Sequence, residues 1–274
     1  MERIKQAMER ARAERQSRAL ITPSGEATRV RFIEGRGRKT ATDARVDYTR
    51  TAIVPTDPRQ LRERRVILSD DADEQGPVAS AYRVLRTHIL QRMRANGWKT
   101  LGVTSPTAQD GKTLTAINLA ISLAREVNQT ILLVDMDLKR PSIGRYFVDG
   151  PMPGIGDYLV NETDIADLLI HPGIERLVVL PGNDALTLPS ELLSSPRAAQ
   201  LVAELKGRYD DRLILFDLPP LFAGDEVLAF QPYLDALLLV VEEGKVSKED
   251  LQRATQLLGD RNILGMVLNN RGRG

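Results

Sequence analysis

A lysine and a threonine directly follow a glycine at Gly111-Lys112-Thr113, and this tripeptide could hold the phosphates of a nucleotide. In phosphate-binding loops, backbone N–H groups and a helix N-terminus point at the anion, a lysine reaches the β- and γ-phosphates, and a hydroxyl ligates Mg²⁺. The tripeptide alone is weak evidence, because it also arises by chance and because Pro106 stands where the Walker A consensus places its first glycine. A strand before the loop and a helix after it would make the assignment specific.

Three aspartates follow apolar segments further along the chain. Asp135 and Asp137 come after I-L-L-V, and Asp217 follows L-I-L-F. Ligands of open α/β sheets bind at the carboxyl ends of strands, where one carboxylate can hold Mg²⁺ and another can take a proton from an attacking hydroxyl. Each aspartate alone could equally be a strand-end turn residue or a helix cap. All three, downstream of a G-K-T, predict a phosphoryl-transfer site at one edge of a sheet.

Alternating apolar strands and helices must position these residues. The strand before the loop is expected at 100–104 and the helix after it at 112–125, preceded by a helix from about Pro77 to Asn96-Gly97. Further strands are expected at 130–134, 176–180, 213–216, 236–241 and 263–268, and further helices near 164–170, 197–208, 225–230 and 247–258. This rhythm predicts an α/β fold: a P-loop NTPase-like, doubly wound, mostly parallel sheet with helices on both faces.

Charge divides the 274-residue chain into two parts. Residues 1–65 hold 17 Lys and Arg against 9 Asp and Glu, whereas the remainder holds 21 against 28. Because periodicity is weak there, residues 1–76 are expected to form a basic, mostly disordered arm, with a short N-terminal helix as an option. Its charge serves either solvation alone or attraction to an anionic membrane face or an acidic partner. Residues 77–274 are expected to form the nucleotide-binding domain.

The composition excludes several kinds of site and partner. The chain has no cysteine and two histidines, so neither a disulfide framework nor a cysteine- or histidine-based metal cluster is expected. No apolar run approaches the roughly 18–20 residues that span a bilayer, and the charged N-terminus is not typical of a secretory signal. A cytoplasmic chain is therefore expected. The arm offers only Phe32 and Tyr48 as aromatic residues among its basic ones, so no nucleic-acid partner is expected.

Three motifs together resemble the Walker motifs of the bacterial tyrosine kinases, which are P-loop enzymes of polysaccharide synthesis and export related to the MinD/ParA ATPases. The motifs are T-S-P-T-A-Q-D-G-K-T at 104–113, I-L-L-V-D-M-D-L-K-R-P at 131–141 and L-I-L-F-D-L-P-P at 213–220. The segments A-Y-R-V-L-R-T-H-I, P-S-E-L-L-S-S-P-R and G-M-V-L-N-N add to a resemblance that covers about residues 77–270. The loop and the helix after it are most similar to the exosortase-associated tyrosine autokinase subgroup.

The resemblance implies a role for each motif residue. Lys112 would hold the β- and γ-phosphates, Asp135 and Asp137 would serve Mg²⁺ and activate the tyrosine hydroxyl, and Asp217 would complete the metal shell. The implied nucleotide-binding residues are Gln109, Asp110, Gly111, Lys112, Thr113, Leu114 and, near the adenine, Asn269. The implied metal ligands are Thr113, Asp135 and Asp217. The implied cofactors are ATP and Mg²⁺, with catalysis resting on positioning and charge neutralisation.

The chain departs from the family pattern at several positions. Ala108-Gln109-Asp110 stand where the family loop reads P-G-E, and Lys139 stands where the second motif usually has an arginine. In the helix before the first motif, Arg83 and Arg86 match a subunit-contact motif of the family, but Ser80 replaces its glutamate. Arg83 and Arg86 are therefore expected to be oligomer contacts. In the ring that such contacts would form, the ion pair between neighbouring subunits keeps its arginines but lacks the glutamate.

The resemblance implies an ATP-dependent protein-tyrosine kinase, autokinase-like, that regulates exopolysaccharide or capsule synthesis and export. It would need a separate membrane-spanning adaptor with a cytoplasmic activating tail, and would lie peripherally at the inner face of the membrane through that partner. The last tyrosine is Tyr233, so the family's C-terminal tyrosine cluster is missing and Tyr48 is the best candidate acceptor. A kinase-inactive ATP-binding switch or scaffold is the alternative. A MinD/ParA-like ATPase ranks third, because Thr107 stands at the position of their signature lysine.

Overall fold

The computed structural model describes residues 51–68, 76–126, 129–208, 212–259 and 262–269. The expectations for residues 1–50, including the N-terminal helix and the acceptor role of Tyr48, lie outside these ranges. Across the described ranges, no helix is both long enough and apolar enough to cross a membrane.

The described residues build one sheet of eight strands, which are mostly parallel. In chain order they are β1 (Ala52–Ile53), β2 (Thr100–Thr104), β3 (Thr130–Asp135), β4 (Ile170–His171), β5 (Leu177–Leu180), β6 (Arg212–Asp217), β7 (Ala236–Glu242) and β8 (Ile263–Asn269). Across the sheet the order is β1-β4-β5-β3-β6-β2-β7-β8, and only β4 and β5 run antiparallel among these neighbours. The predicted fold class is therefore confirmed.

Nine α-helices lie in the described part of the chain. They are α1 (Pro58–Glu63), α2 (Pro77–Asn96), α3 (Lys112–Ala124), α4 (Gly144–Phe147), α5 (Ile155–Asn161), α6 (Pro189–Leu193), α7 (Pro196–Gly207), α8 (Glu226–Phe230) and α9 (Lys248–Leu258). Short 3₁₀ turns cover Ile165–Asp167, Leu221–Ala223 and Gln231–Tyr233. The long helices expected from periodicity are all present, and α2 ends at Gly97 in the left-handed conformation that favours glycine.

Apolar side chains bury both faces of the sheet, which explains why its strands are continuous apolar runs in the sequence. Within β3, Ile131 and Leu133 belong to a core shared with α2 and α3, whereas Leu132 and Val134 belong to a core shared with α5, α7 and α9. Helix α3 crosses the first face beside the strand ends and is buried almost all round. Its N-terminus is thereby fixed against the sheet.

The folded part begins earlier than the expected boundary at Pro77. Strand β1 pairs with β4, and Leu61, Val66 and Leu68 are buried in the core with α2 and α3. The side chain of Asn118 on α3 accepts the N–H of Ile67 at 2.9 Å, which ties this segment to α3. The segment could not be recognised in the sequence, because a two-residue strand and a six-residue helix are too short to show hydrophobic periodicity.

The helix expected near 164–170 is wrong. Only a 3₁₀ turn, Ile165–Asp167, forms there, and Ile170–His171 continue as strand β4. The side chain of Asp164 accepts the N–H of Ala166 at 2.9 Å, and the chain then leaves the turn to pair with β5. Pairing at the sheet overrode the weak helical pattern of this apolar segment.

Leu61→Ala is expected to lower the free energy of unfolding by about 2–4 kcal/mol, because it opens a cavity where a side chain only 2% exposed packs against the core. For a chain of this size the Tm should fall by about 5–15 °C, which thermal unfolding would measure. Arg59→Ala, an exposed position on the same helix, serves as the control. An unchanged Tm for Leu61→Ala would show that residues 51–68 do not belong to the folded domain.

Candidate functional site

Three adjacent strands carry the predicted site residues to one edge of the sheet. Strands β3, β6 and β2 are neighbours and parallel, and their registers place Asp135 beside Asp217 and Asp217 beside Val103. The loop after β2 (105–111) therefore lies next to both aspartate-bearing strand ends. Lys112 and Thr113, at the start of α3, complete the group.

Lys112 lies at the centre of this group. Its Nζ is 3.0 Å from Asp137 Oδ2 and 3.5 Å from Asp217 Oδ1, and it donates to Thr113 Oγ1 at 3.3 Å. Thr113 Oγ1 in turn donates to Asp217 Oδ2 at 2.6 Å. The structure thus brings together four predicted site residues, which lie on three separate segments of the sequence.

Asp135 has a different environment from Asp137. It is fully buried, and its Oδ2 accepts the backbone N–H groups of Ser142 and Ile143 at 2.8 and 2.9 Å. Its Oδ1 accepts the N–H of Asp137 at 3.3 Å. Asp135 therefore shapes the loop after β3, whereas Asp137 faces Lys112 and the open side of the site.

Burial and mutual repulsion perturb the charges of this site. Burial, reinforced by the charge of Asp217, raises the pKa of Asp135 to about 7, although N–H donation from Ile143 opposes the shift. Burial likewise raises the pKa of Asp217, against the attraction of Lys112. Burial disfavours the charge of Lys112, but Asp217 and Asp137 outweigh it and raise its pKa. The site therefore crowds carboxyl groups that repel one another around one ammonium group, and a bound cation would relieve that repulsion.

The loop before α3 has a left-handed residue at the position where the resembled kinases carry a glycine. Gln109, at the position of that glycine, has φ +67°, and Gly111 has φ +88°. Glycine is favoured at 111 because this φ lies in the left-handed region, and a Cβ there would also displace the Asn269 amide. That amide donates to the carbonyl of Asp110 at 2.9 Å, so Asn269 binds the loop itself. Leu114 is half-buried and packs on the core beneath the loop.

Gln109→Gly is expected to stabilise the protein by about 1 kcal/mol. The change removes the roughly 1–2 kcal/mol that a non-glycine residue costs in the left-handed region. Part of this gain is offset because glycine raises the conformational entropy of the unfolded chain. The Tm should rise by about 2–4 °C, and thermal unfolding without nucleotide would measure it. Gln109→Ala is the matched control, since it removes the same exposed side chain but keeps the strain. An equal gain for alanine would show that φ at 109 is not the cause.

A cleft of about 1340 Å³ opens beside the loop. Its wall includes Thr113, Asp137, Ile67, Val78 and Tyr82. Six cationic side chains line it against two acidic ones: Arg62, Arg64, Arg65, Lys112, Lys139 and Arg140 against Glu63 and Asp137. This balance suits a polyanion such as a nucleoside triphosphate.

The two arginines expected at an oligomer contact lie on α2, away from the loop. Arg86 is largely committed within the chain: its Nη1 donates to the carbonyl of Ser122 at 3.1 Å, and its Nε lies 3.3 Å from Glu126 Oε1. Ser80 is exposed one turn before Arg83. A role of Arg83 and Arg86 between subunits stays a prediction.

Two residues of the site region were missed by the sequence motifs. Glu226, in the first turn of α8, is 2% exposed and forms an ion pair with Lys139. In the sequence, a glutamate at the start of a helix indicates only a cap or a favourable charge at the helix N-terminus. Lys245 lies in the charged turn after β7 and contacts Asp110. The sequence E-E-G-K is typical of a solvated turn, so no local signal would have found it.

Among known proteins, this chain is similar to tyrosine-protein kinases. It is 30% identical over 191 residues to the tyrosine-protein kinase CpsD of Streptococcus pneumoniae, covering 69% of this chain and 82% of CpsD. It is 29% identical over 192 residues to the tyrosine-protein kinase YwqD of Bacillus subtilis, covering 69% and 80%. No family model matches the chain.

Solved structures extend this likeness to the fold. The chimerical protein CapA2B2 superimposes with a TM-score of 0.68 at 25% identity, covering 81% of this chain and 93% of that one. The kinase domain of VpsO gives 0.64 at 28% identity, covering 71% and 96%. MinD from Pyrococcus horikoshii, at 23% identity and a TM-score of 0.52 over 64% of this chain and 72% of that one, shares the fold alone. With CpsD 30% identical across more than two thirds of its length, this chain belongs to the bacterial tyrosine kinase family.

Proposed function

We propose that this chain is an ATP-dependent protein-tyrosine kinase that regulates the synthesis and export of an exopolysaccharide or capsule. The observation that carries the proposal is the placement of Lys112 at the N-terminus of α3, within 3.0 and 3.5 Å of carboxylate oxygens of Asp137 and Asp217. A cationic cleft opens directly in front of this group. Similarity to CpsD and YwqD supports the choice of reaction.

The donor atoms at the strand ends fit a magnesium ion bound together with a triphosphate. Asp217 Oδ1 is buried and has no hydrogen-bond partner among the described residues, and Thr113 Oγ1 lies against the same carboxyl group. No group of three or more Asp, Glu, His or Cys side chains in the described ranges could hold a metal by itself. This agrees with Mg²⁺, which usually takes one or two carboxylates and completes its shell with phosphate oxygens and water.

Under this proposal, Thr113 and Asp217 would hold Mg²⁺, and Asp135 would support the shell from the neighbouring strand. A bound Mg²⁺ would supply positive charge that neutralises the β- and γ-phosphates. The backbone N–H groups from Gln109 to Leu114 and the ammonium of Lys112 bind the phosphates.

Asp137 is the proposed base. In the structure its carboxylate is neutralised by Lys112, only 3.0 Å away. When Lys112 turns to the phosphates, the Asp137 carboxylate is released from their ion pair and can accept a hydrogen bond from the tyrosine hydroxyl. It then takes the proton of the tyrosine hydroxyl as the tyrosine oxygen bonds to the γ-phosphorus. The bond from that phosphorus to the β–γ bridging oxygen breaks, and ADP leaves.

A separate membrane-spanning protein with a cytoplasmic activating tail is the proposed partner, and it would hold this chain at the inner face of the cell membrane. Support comes from the similarity to the chimerical protein CapA2B2 and to the kinase domain of VpsO. Arg83 and Arg86 are proposed contacts between copies. Arg86 already binds Ser122 and Glu126 within the chain, which limits the strength of such a contact at that residue.

The test is phosphate transfer to tyrosine by the purified full chain. The chain is incubated with Mg-ATP, alone and with a glutamate–tyrosine copolymer or an adaptor tail, and phosphotyrosine is followed by immunoblot and radiolabel. Phosphotyrosine that disappears on adding EDTA supports the kinase. Nucleotide binding measured by calorimetry, with no phosphotyrosine on any acceptor, would instead favour a nucleotide-dependent switch and contradict the proposal.

A further inference from the structure

A lysine outside every Walker motif reaches the phosphate loop from a neighbouring strand. Lys245 lies in the turn after β7, and β7 pairs with β2, so this turn lies beside the loop that follows β2. Its Nζ is 2.8 Å from Asp110 Oδ1 and 3.3 Å from Glu242 Oε2, and it also donates to the carbonyl of Ala108 at 2.5 Å. Lys245 thereby contacts the loop on both sides of Gln109.

The partner of Lys245 is buried and anchored in turn. Asp110 is 0% exposed, and its carboxylate accepts the N–H of Thr107 at 2.9 Å and the hydroxyl of Thr107 at 2.7 Å. The carbonyl of Asp110 accepts the amide of Asn269 at 2.9 Å. Burial of a charged group is costly unless it is paired, and Lys245 Nζ contacts this carboxylate at 2.8 Å.

The residue between the two contacts is the strained one. Gln109 holds φ +67° without the glycine that this conformation favours, which costs roughly 1–2 kcal/mol. Such a conformation persists only when its surroundings hold it in place. Ala108 and Asp110, on either side, are the residues that Lys245 binds.

We propose that Lys245 is a positioning residue for nucleotide binding: it holds the loop 108–110 in the phosphate-binding conformation that its sequence does not favour. The inference rests on the proposed function, since it assumes that this loop binds a nucleotide. Lys245 is not among the residues that line the cleft, so its action passes through the loop.

The charge of Lys245 suits this role across the physiological range. Partial burial disfavours the ammonium, but the hydrogen bond and charge of Asp110, together with Glu242, outweigh that effect and raise the pKa of Lys245. The contact is therefore ionic at neutral pH, and an arginine should preserve it better than a neutral side chain.

The experiment compares Lys245→Met, Lys245→Arg and Lys248→Met in the full chain. Lys248 is exposed three positions further on and serves as the matched control. Calorimetry gives the Kd for Mg-ATP and for Mg-tripolyphosphate, which has no base, and steady-state kinetics give KM and kcat. We expect Lys245→Met to weaken both ligands about tenfold and to raise the KM for ATP by a similar factor. The kcat should change less than about threefold, and Lys245→Arg should recover most of the affinity. The Tm should fall by only about 2–4 °C, because Lys245 is 38% exposed and its pair with Asp110 is partly screened by water.

Several results would overturn the inference. They are an unchanged Kd in Lys245→Met, an equal loss in Lys248→Met, or a loss confined to Mg-ATP, which would indicate a contact with the base instead of the loop. A fall in Tm large enough to account for the lost affinity would also contradict it. If the unaltered chain binds neither ligand, the proposed function fails first, and that outcome is distinct from all of these.

Discussion

Lys112→Met is expected to lower phosphotyrosine formation by about a thousandfold or more and to weaken Mg-ATP binding at least tenfold. The ammonium of Lys112 is the cation nearest to the paired carboxylates of Asp137 and Asp217 and stands at the N-terminus of α3. Phosphoryl transfer needs little from a protein except positioning and charge neutralisation, so losing the central charge removes most of the rate enhancement. The measurement is kcat/KM for a tyrosine copolymer, with the Kd for Mg-ATP from calorimetry.

Lys112→Met should also lower the Tm by an amount that depends on pH, which distinguishes it from a variant that merely fails to fold. Without Lys112, Asp137 and Asp217 remain buried without their cation, and breaking a buried pair typically costs about 3–5 kcal/mol. Protonation relieves that cost, so the loss of Tm should be larger at pH 8 than at pH 5.5. Lys206→Met is the control, because Lys206 pairs with Asp235 away from the cleft and should leave activity within about twofold. More than a tenth of the activity surviving in Lys112→Met would refute the role of Lys112.

The site residues that follow the buried parallel strands could be predicted from the sequence. The buried strands β2, β3 and β6 are aliphatic runs, and the polar residues that end them must share one edge because the strands are parallel. Asp135, Asp137, Asp217 and Lys112 follow directly from that argument. Nothing more than strand type and chain order was needed to bring them together.

Contacts that depend on tertiary packing could not be predicted in this way. Leu61, Val66 and Leu68 are buried, yet they are unevenly spaced within a charged segment and show no period. Lys139 replaces the family's arginine, and its partner is a glutamate 87 positions later, buried beneath the loop after β6. Lys245 is in a turn whose composition indicates solvent. In each case the partner is set by which elements lie side by side, and not by spacing along the chain.

Asp135→Asn is expected to abolish activity and, at alkaline pH, to stabilise the protein that holds neither nucleotide nor metal. In the folded state burial and the charge of Asp217 raise the pKa of Asp135 to about 7, whereas an unfolded aspartate titrates near 3.9. The folded state therefore binds this proton more tightly than the unfolded chain does. The stability that it contributes is complete below about pH 4 and is lost as the pH rises through about 7. Asparagine is neutral at every pH, so the variant does not lose this stability.

Thermal unfolding in EDTA from pH 5 to pH 8 would measure this effect. We expect Asp135→Asn to match the unaltered protein within about 2 °C at pH 5 and to exceed its Tm by several degrees at pH 8, while phosphotyrosine formation falls at least a hundredfold. Asp235→Asn supplies a control of opposite sign: partial burial disfavours its charge, but N–H donation from Lys99 and Thr100 prevails and lowers the pKa of Asp235. That variant should lose stability at pH 8. A pH-independent difference for Asp135→Asn would show that Asp135 is ionised throughout this range in the folded protein. Repulsion among the carboxyl groups at the strand edge would then give the site no reason to bind Mg²⁺.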